Sequence, residues 1–149
     1  MQEALDFGIV LALAYQTFVD ELHAELAAHG ITDLRPSYGY VLRTLAEAPL
    51  NQRALAHRLG VTDQAIAKLV AEMARRKLVA RAPDPDDARA RLLVVGPRGK
   101  DVLRIAHAFH GKFERRLERA LGDDVATTRR VLEHVIGTGA PAATRLRLV

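Results

Sequence analysis

Residues 50–76 hold two helical patterns so close together that only a tight turn fits between them. In LNQRALAHRLG, Asn51 is a good N-cap, Leu55 and Leu59 make an apolar edge, and Gly60 stops the helix. Thr62 then caps a longer helix with Ile66, Leu69, Val70 and Met73 on one side. Two short helices joined across a glycine-containing turn make a helix-turn-helix. The next stretch narrows the choice of fold. Leu78 to Ala82 and Leu92 to Val95 are short apolar runs around a polar loop with two prolines, the pattern of a β-hairpin. A helix-turn-helix that runs directly into a hairpin is a winged helix.

The flanks are helical. Phe7, Val10, Leu11, Ala14, Phe18, Leu22 and Leu26 repeat at helix period before Gly30, and Pro36 opens a second helix ending at Ala48-Pro49. Helix periodicity resumes at Pro97 through Val102, Leu103, Ala106, Phe109, Phe113 and Leu117; Gly122 interrupts it, and a last helix runs to about Ile136. The terminal stretch GTGAPAATRLRLV carries helix breakers and reads as a loosely docked tail. The expected fold class is mainly α with a small β-hairpin wing: a winged helix-turn-helix flanked by N- and C-terminal dimerisation helices. At 149 residues the chain is expected to be a single domain. Within it, 34–99 form the DNA-binding lobe, and 1–33 and 100–149 form dimerisation helices. The outer helices have wide apolar faces and little else in the chain to bury them, hence an expected homodimer.

The run FGIVLALAY (7–15) is like a signal-peptide core, but Glu3 and Asp6 precede it in place of basic residues. It is also far shorter than the roughly 20 residues that span a bilayer. It reads as the buried face of the first helix, so a cytoplasmic protein with no membrane partner is expected. The chain has no Cys, which excludes disulfides, thiolate zinc sites and thiol redox chemistry.

Charge is uneven along the chain. Residues 1–49 hold 2 basic and 7 acidic side chains, whereas residues 50–99 hold 10 and 5. A positive middle behind a negative start suits one region that meets a polyanion. At about 100° per residue, the apolar side of the second helix leaves Gln64, Lys68, Ala71 and Arg75 pointing away from it. Gln can pair bidentately with adenine, Lys can reach guanine edges or phosphate, and a small Ala permits close approach to the groove. Thr62 can donate its hydroxyl to a phosphate beside the first-turn N–H groups. Asp63 at the same end repels phosphate, and favours the helix dipole or accepts from cytosine N4.

The densest motifs, PLNQRALAHRLGVTDQAIAKLVAEMARRKLV (49–79) and DPDDARARLLVVGPRG (84–99), resemble those of MarR-family transcriptional regulators. The resemblance runs from about residue 5 to residue 137. Asp87, Arg89, Leu92 to Val95, Gly96 and Gly99 fill the family's wing pattern. Three positions depart from it: Lys77 stands where a glycine is usual, Gly96 replaces a threonine cap, and Ala88 replaces a frequent arginine. The resemblance implies a homodimeric DNA-binding regulator, most often a repressor, on a pseudo-palindromic double-stranded operator. It places a recognition helix in the major groove and a wing arginine in the minor groove. Those roles fall on Thr62, Gln64, Ala65, Lys68 and Arg75 of the helix and on Arg89 of the wing, with Arg91 beside it as a phosphate contact; Asn51, Gln52, Asp63 and Asp87 complete the expected DNA-binding set. Asp87, two residues before Arg89, is expected to hold that guanidinium in a bidentate ion pair.

The resemblance further implies a small aromatic or anionic effector, with Tyr15, Phe18, Tyr38, Tyr40, Phe109 and Phe113 as candidate walls and Arg43 as anion partner. Core filling is the alternative role for these aromatics. His107 and His110 lie three apart on one helix, which supplies only half of a metal site, so no metal and no cofactor are expected. With one Ser, no Cys, no glycine-rich phosphate loop and no H-E-x-x-H motif, catalysis is not expected. The alternative function is an architectural DNA binder without sequence preference.

Overall fold

The computed structural model describes residues 5–137, so the start of the chain and the tail from Thr138 lie outside the described residues. The elements follow the expected order: α1 (Phe7–Ala28), α2 (Pro36–Glu47), α3 (Gln52–Leu59), α4 (Asp63–Arg75), β1 (Val79–Pro83), β2 (Arg91–Val95), α5 (Pro97–Leu121) and α6 (Asp124–Ile136). Local chemistry sets most of these boundaries. Asn51 Oδ1 accepts from the Ala54 N–H at 2.8 Å and Thr62 Oγ1 accepts from the Ala65 N–H at 3.1 Å, capping α3 and α4. Each such cap contributes about 1 kcal/mol. Gly60, left-handed with φ +66°, reverses the chain between them.

The hairpin is antiparallel, with Val79 opposite Val95 and Pro83 opposite Arg91. Leu50 forms a bridge to Leu93 through two backbone bonds of 3.2 and 2.8 Å, so the connection between α2 and α3 lies against the wing. One core joins these parts. Tyr38, Val41 and Leu42 of α2 lie with Leu55 and Leu59 of α3, Ile66, Val70 and Met73 of α4, Leu78, Leu93, Val102 and Ile105. Full burial of such side chains stabilises by about 1.5–3 kcal/mol each, which is why α4 is held firmly by its inner face.

The outer helices differ from expectation. Phe7 and Val10, read as part of a buried stripe, are 59% and 46% exposed, and α6 buries no side chain fully. The physical reason is that α1 meets α5 only along its C-terminal half, where Arg116 pairs with Glu21 at 2.7 Å and Lys112 with Glu25 at 3.2 Å. Among the described residues, none covers Phe7 or Val10 in the first turns of α1.

Candidate nucleic-acid interface

Ile66, Val70 and Met73 are fully buried, which turns Gln64, Ala65, Lys68, Ala71 and Arg75 of α4 out into solvent. The row inferred from helix periodicity is therefore an exposed face: one amide, two small residues and two cations. Asp63 occupies the first turn, where a carboxylate suits the positive end of the helix dipole. The caps leave donors to spare. Thr62 spends an acceptor on Ala65 and keeps its O–H, and Asn51 spends Oδ1 on Ala54 and keeps its NH₂. Gln52 opens α3 beside Asn51 and is half-buried.

The wing loop answers why acids sit beside arginines. Asp84 Oδ1 accepts from the Asp86 N–H and Asp87 Oδ1 accepts from the Arg89 N–H, both at 2.9 Å. These are two consecutive Asx-type turns, with Pro85 in the middle of the first, that fold seven residues into a compact tip. Arg89 and Arg91 stand exposed on it. The expected ion pair from Asp87 to the Arg89 guanidinium is not among the ion pairs of the described residues. Asp87 is turned onto the backbone of Arg89 instead, because a carboxylate two residues ahead of an N–H closes a local turn more readily than it meets a long side chain.

Two family departures become intelligible together. Lys77 is left-handed, with φ +58°. The Lys77 N–H bonds the Ala74 carbonyl and the Leu78 N–H bonds the Met73 carbonyl, the double closure that usually takes glycine. Lys77 aims its own carbonyl at Gly96: a Cβ there would lie 2.5 Å from that oxygen, so no threonine fits.

Residues 29–90, from the end of α1 through the wing tip, match the sequence model of the MarR family. The winged-helix core carries the sequence pattern of the MarR family. The chain is 34% identical over 86 residues to the transcriptional regulator HosA of Escherichia coli O111:H-, a segment covering 56% of this chain and 63% of that protein. In fold it is similar to the reduced form of E. coli MarR, with a TM-score of 0.68, 23% identity, and coverage of 91% of this chain and 99% of that one. It is also similar to an S. aureus MepR mutant bound to an oligodeoxyribonucleotide, with a TM-score of 0.60, 17% identity, and coverage of 89% and 96%. MepR bound to ethidium bromide gives a TM-score of 0.64 at 16% identity, with coverage of 89% and 94%.

Of the MarR-type effector candidates, six gather along the seam between α1, α2 and α5. Tyr15 and Tyr40 share a hydroxyl hydrogen bond of 2.8 Å, and burial with that bond pushes Tyr40 up to about 12. Phe18 meets Phe113 edge-on at 5.1 Å and Phe109 at 5.5 Å, and His110 stacks on Phe18 at 5.2 Å. Burial, then the charge of nearby Arg43, lowers the His110 pKa. Tyr38 is separate: it is buried in the core, with the Arg76 guanidinium 5.8 Å from its ring centre. Two cavities formed by the described residues lie elsewhere, one between α5 and α6 beside Glu118 and Arg129 and one at the end of α1 beside Leu26 and Ile31.

Sequence reasoning missed a cluster at the far end of α4. Arg76 Nη1 donates to the Asp33 carbonyl at 2.6 Å, and Glu72 pairs with Arg76 at 3.4 Å and with Arg35 at 3.5 Å. The Tyr38 hydroxyl beside Glu72, together with these cations, holds its carboxyl below the usual range. The spacing of Glu72 and Arg76, four apart on a helix, was a readable signal for half of it.

Proposed function

We propose that the chain is a sequence-specific DNA-binding transcriptional regulator. It acts as a cytoplasmic homodimer and a repressor on a pseudo-palindromic operator, and a small aromatic or anionic effector releases it. The observation that carries this is the exposed row Gln64, Lys68, Ala71 and Arg75, backed by a rigid apolar face and flanked by a wing that presents Arg89 and Arg91. In the proposed complex α4 enters the major groove and Arg89 the adjacent minor groove, with Asn51, Gln52, Thr62 and Arg91 on phosphates. Residues 34–99 act as the DNA lobe, and 1–33 with 100–149 as the dimer-forming part. The family match and the oligonucleotide-bound fold neighbour support DNA as the partner; the ethidium-bound one supports a small ligand. The reading assigns the chain no catalysis.

Anisotropy titration of the intergenic DNA upstream of its own gene against random DNA, at physiological salt, tests it. Affinity for one upstream segment about 10³-fold or more above random is expected. Equal affinities favour the architectural reading. Arg89→Ala is expected to weaken operator binding with melting temperature and mass unchanged; unaltered affinity removes the wing from the interface.

A further inference from the structure

We propose that Arg76 and Lys77, the two residues just beyond the recognition helix, are positioning residues. They fix the tilt of α4 against both chain segments that join the winged core to the long helices, and so set the half-site spacing the dimer accepts. The second half of this rests on α4 being the helix that reads DNA.

Two segments make that join: residues 30–35 leave α1, and residues 96–99 enter α5. The end of α4 is tied to each. Arg76 Nη1 donates to the Asp33 carbonyl at 2.6 Å on the first side. On the second, the Lys77 carbonyl accepts from the Arg98 N–H at 3.1 Å and the Leu78 carbonyl accepts from the Gly96 N–H at 2.8 Å. Asp33, with φ +62°, and Lys77, with φ +58°, are the two non-glycine residues with positive φ among the described residues, and both belong to this node. Such backbones cost free energy and persist where their surroundings over-determine them.

Arg76 is spoken for on the inner side. Its guanidinium is held by Glu72 at 3.4 Å, by the Asp33 carbonyl and over the Tyr38 ring, so it orients the helix rather than contacting phosphate. Gly96 and Gly99 let the second segment lie directly on the Lys77 and Leu78 carbonyls, where a Cβ at either glycine would collide. The lever is long. A helix of 13 residues spans about 20 Å, so a 10° tilt about its C-terminal end moves its groove-entering end by about 3 Å, near one base-pair rise.

The chain has no cysteine, so Ala71→Cys on α4 and Ala108→Cys on α5 accept spin labels without background. Labelled chains are diluted with unlabelled ones, so that the dipolar distance read is within one chain. A narrow distribution is expected for the otherwise native chain. Arg76→Ala should widen it about twofold or more, and Arg76→Lys, which keeps a donor for the carbonyl, should restore it. Gly96→Ala presses on the Lys77 carbonyl from the other junction and gives the same readout should Arg76→Ala not fold. Unlabelled Arg76→Ala is expected to lose about fivefold or more of the preference for the selected half-site spacing over a spacing one base pair longer, with base preference inside each half-site kept. Unchanged distance width overturns the positioning role. A widened distribution with unchanged spacing preference overturns the link to spacing. A widened distribution in a chain that selects no DNA sequence supports positioning and removes the DNA-reading function instead.

Discussion

Lys77 shows how a single residue can run against its local preference. A left-handed lysine costs about 1 kcal/mol relative to glycine, and its side chain is exposed, so the turn is kept for its carbonyl direction. Lys77→Gly keeps that carbonyl and is expected to stabilise the chain by about 1 kcal/mol in urea unfolding; a loss of stability contradicts this account of the turn. Asp87 presents a different case. Its acidic type was legible as a turn former, but the direction of its side chain was not, because a carboxylate beside an arginine suits an ion pair and an Asx turn equally well. The observed bond to the Arg89 N–H separates the two by substitution. Asp87→Asn keeps the acceptor and is expected to keep operator affinity. Asp87→Ala should weaken it several-fold even though the wing becomes more positive. Anisotropy titration reads both, and equal weakening in the two variants restores the ion-pair account.

At the scale of elements, boundaries were legible wherever one residue type has one local use. Asn51 and Thr62 cap, Gly30 and Gly60 turn left-handed, and Pro36 and Pro97 sit in the first turn of their helices. What escaped was contact between distant segments: the Leu50–Leu93 bridge and the Arg76–Asp33 bond join residues 43 apart, and no local pattern encodes them. The seam between α1 and α5 carries a pH prediction. Burial and Arg43 lower the His110 pKa below its usual 6.5, so the unfolded chain takes up its proton first as pH falls. The native chain binds fewer protons there, and stability therefore declines as pH drops through 6.5 toward the lower folded value. Glu114 opposes the shift and His107 adds to it. His110→Phe is expected to flatten melting temperature against pH in that window, and an undiminished slope would assign it to other groups.

For the whole molecule, the exposed apolar surface is unevenly placed. Phe7, Ile9, Val10 and Leu13 of α1 and Val131, Val135 and Ile136 of α6 are all large, apolar and 45–63% exposed. Exposed apolar residues of this kind suit an interaction face, and in the proposed homodimer a second copy covers them and pairs two α4 helices for a two-fold operator. Light scattering should give twice the chain mass at micromolar concentration. Val135→Asp is expected to shift the chain toward monomer and to weaken operator binding more than binding to random DNA. The winged core was readable because its capping, turn and apolar signals agree, whereas the burial of α1 was not, since periodicity cannot say which chain covers a stripe. The central claim is that the outer face of α4 reads base pairs. Parallel selections from a random duplex library with the native chain and with Lys68→Ala test it most directly. The account predicts a paired motif from the native chain and an altered base preference at one symmetric position for Lys68→Ala; the same motif bound equally well by both would contradict it.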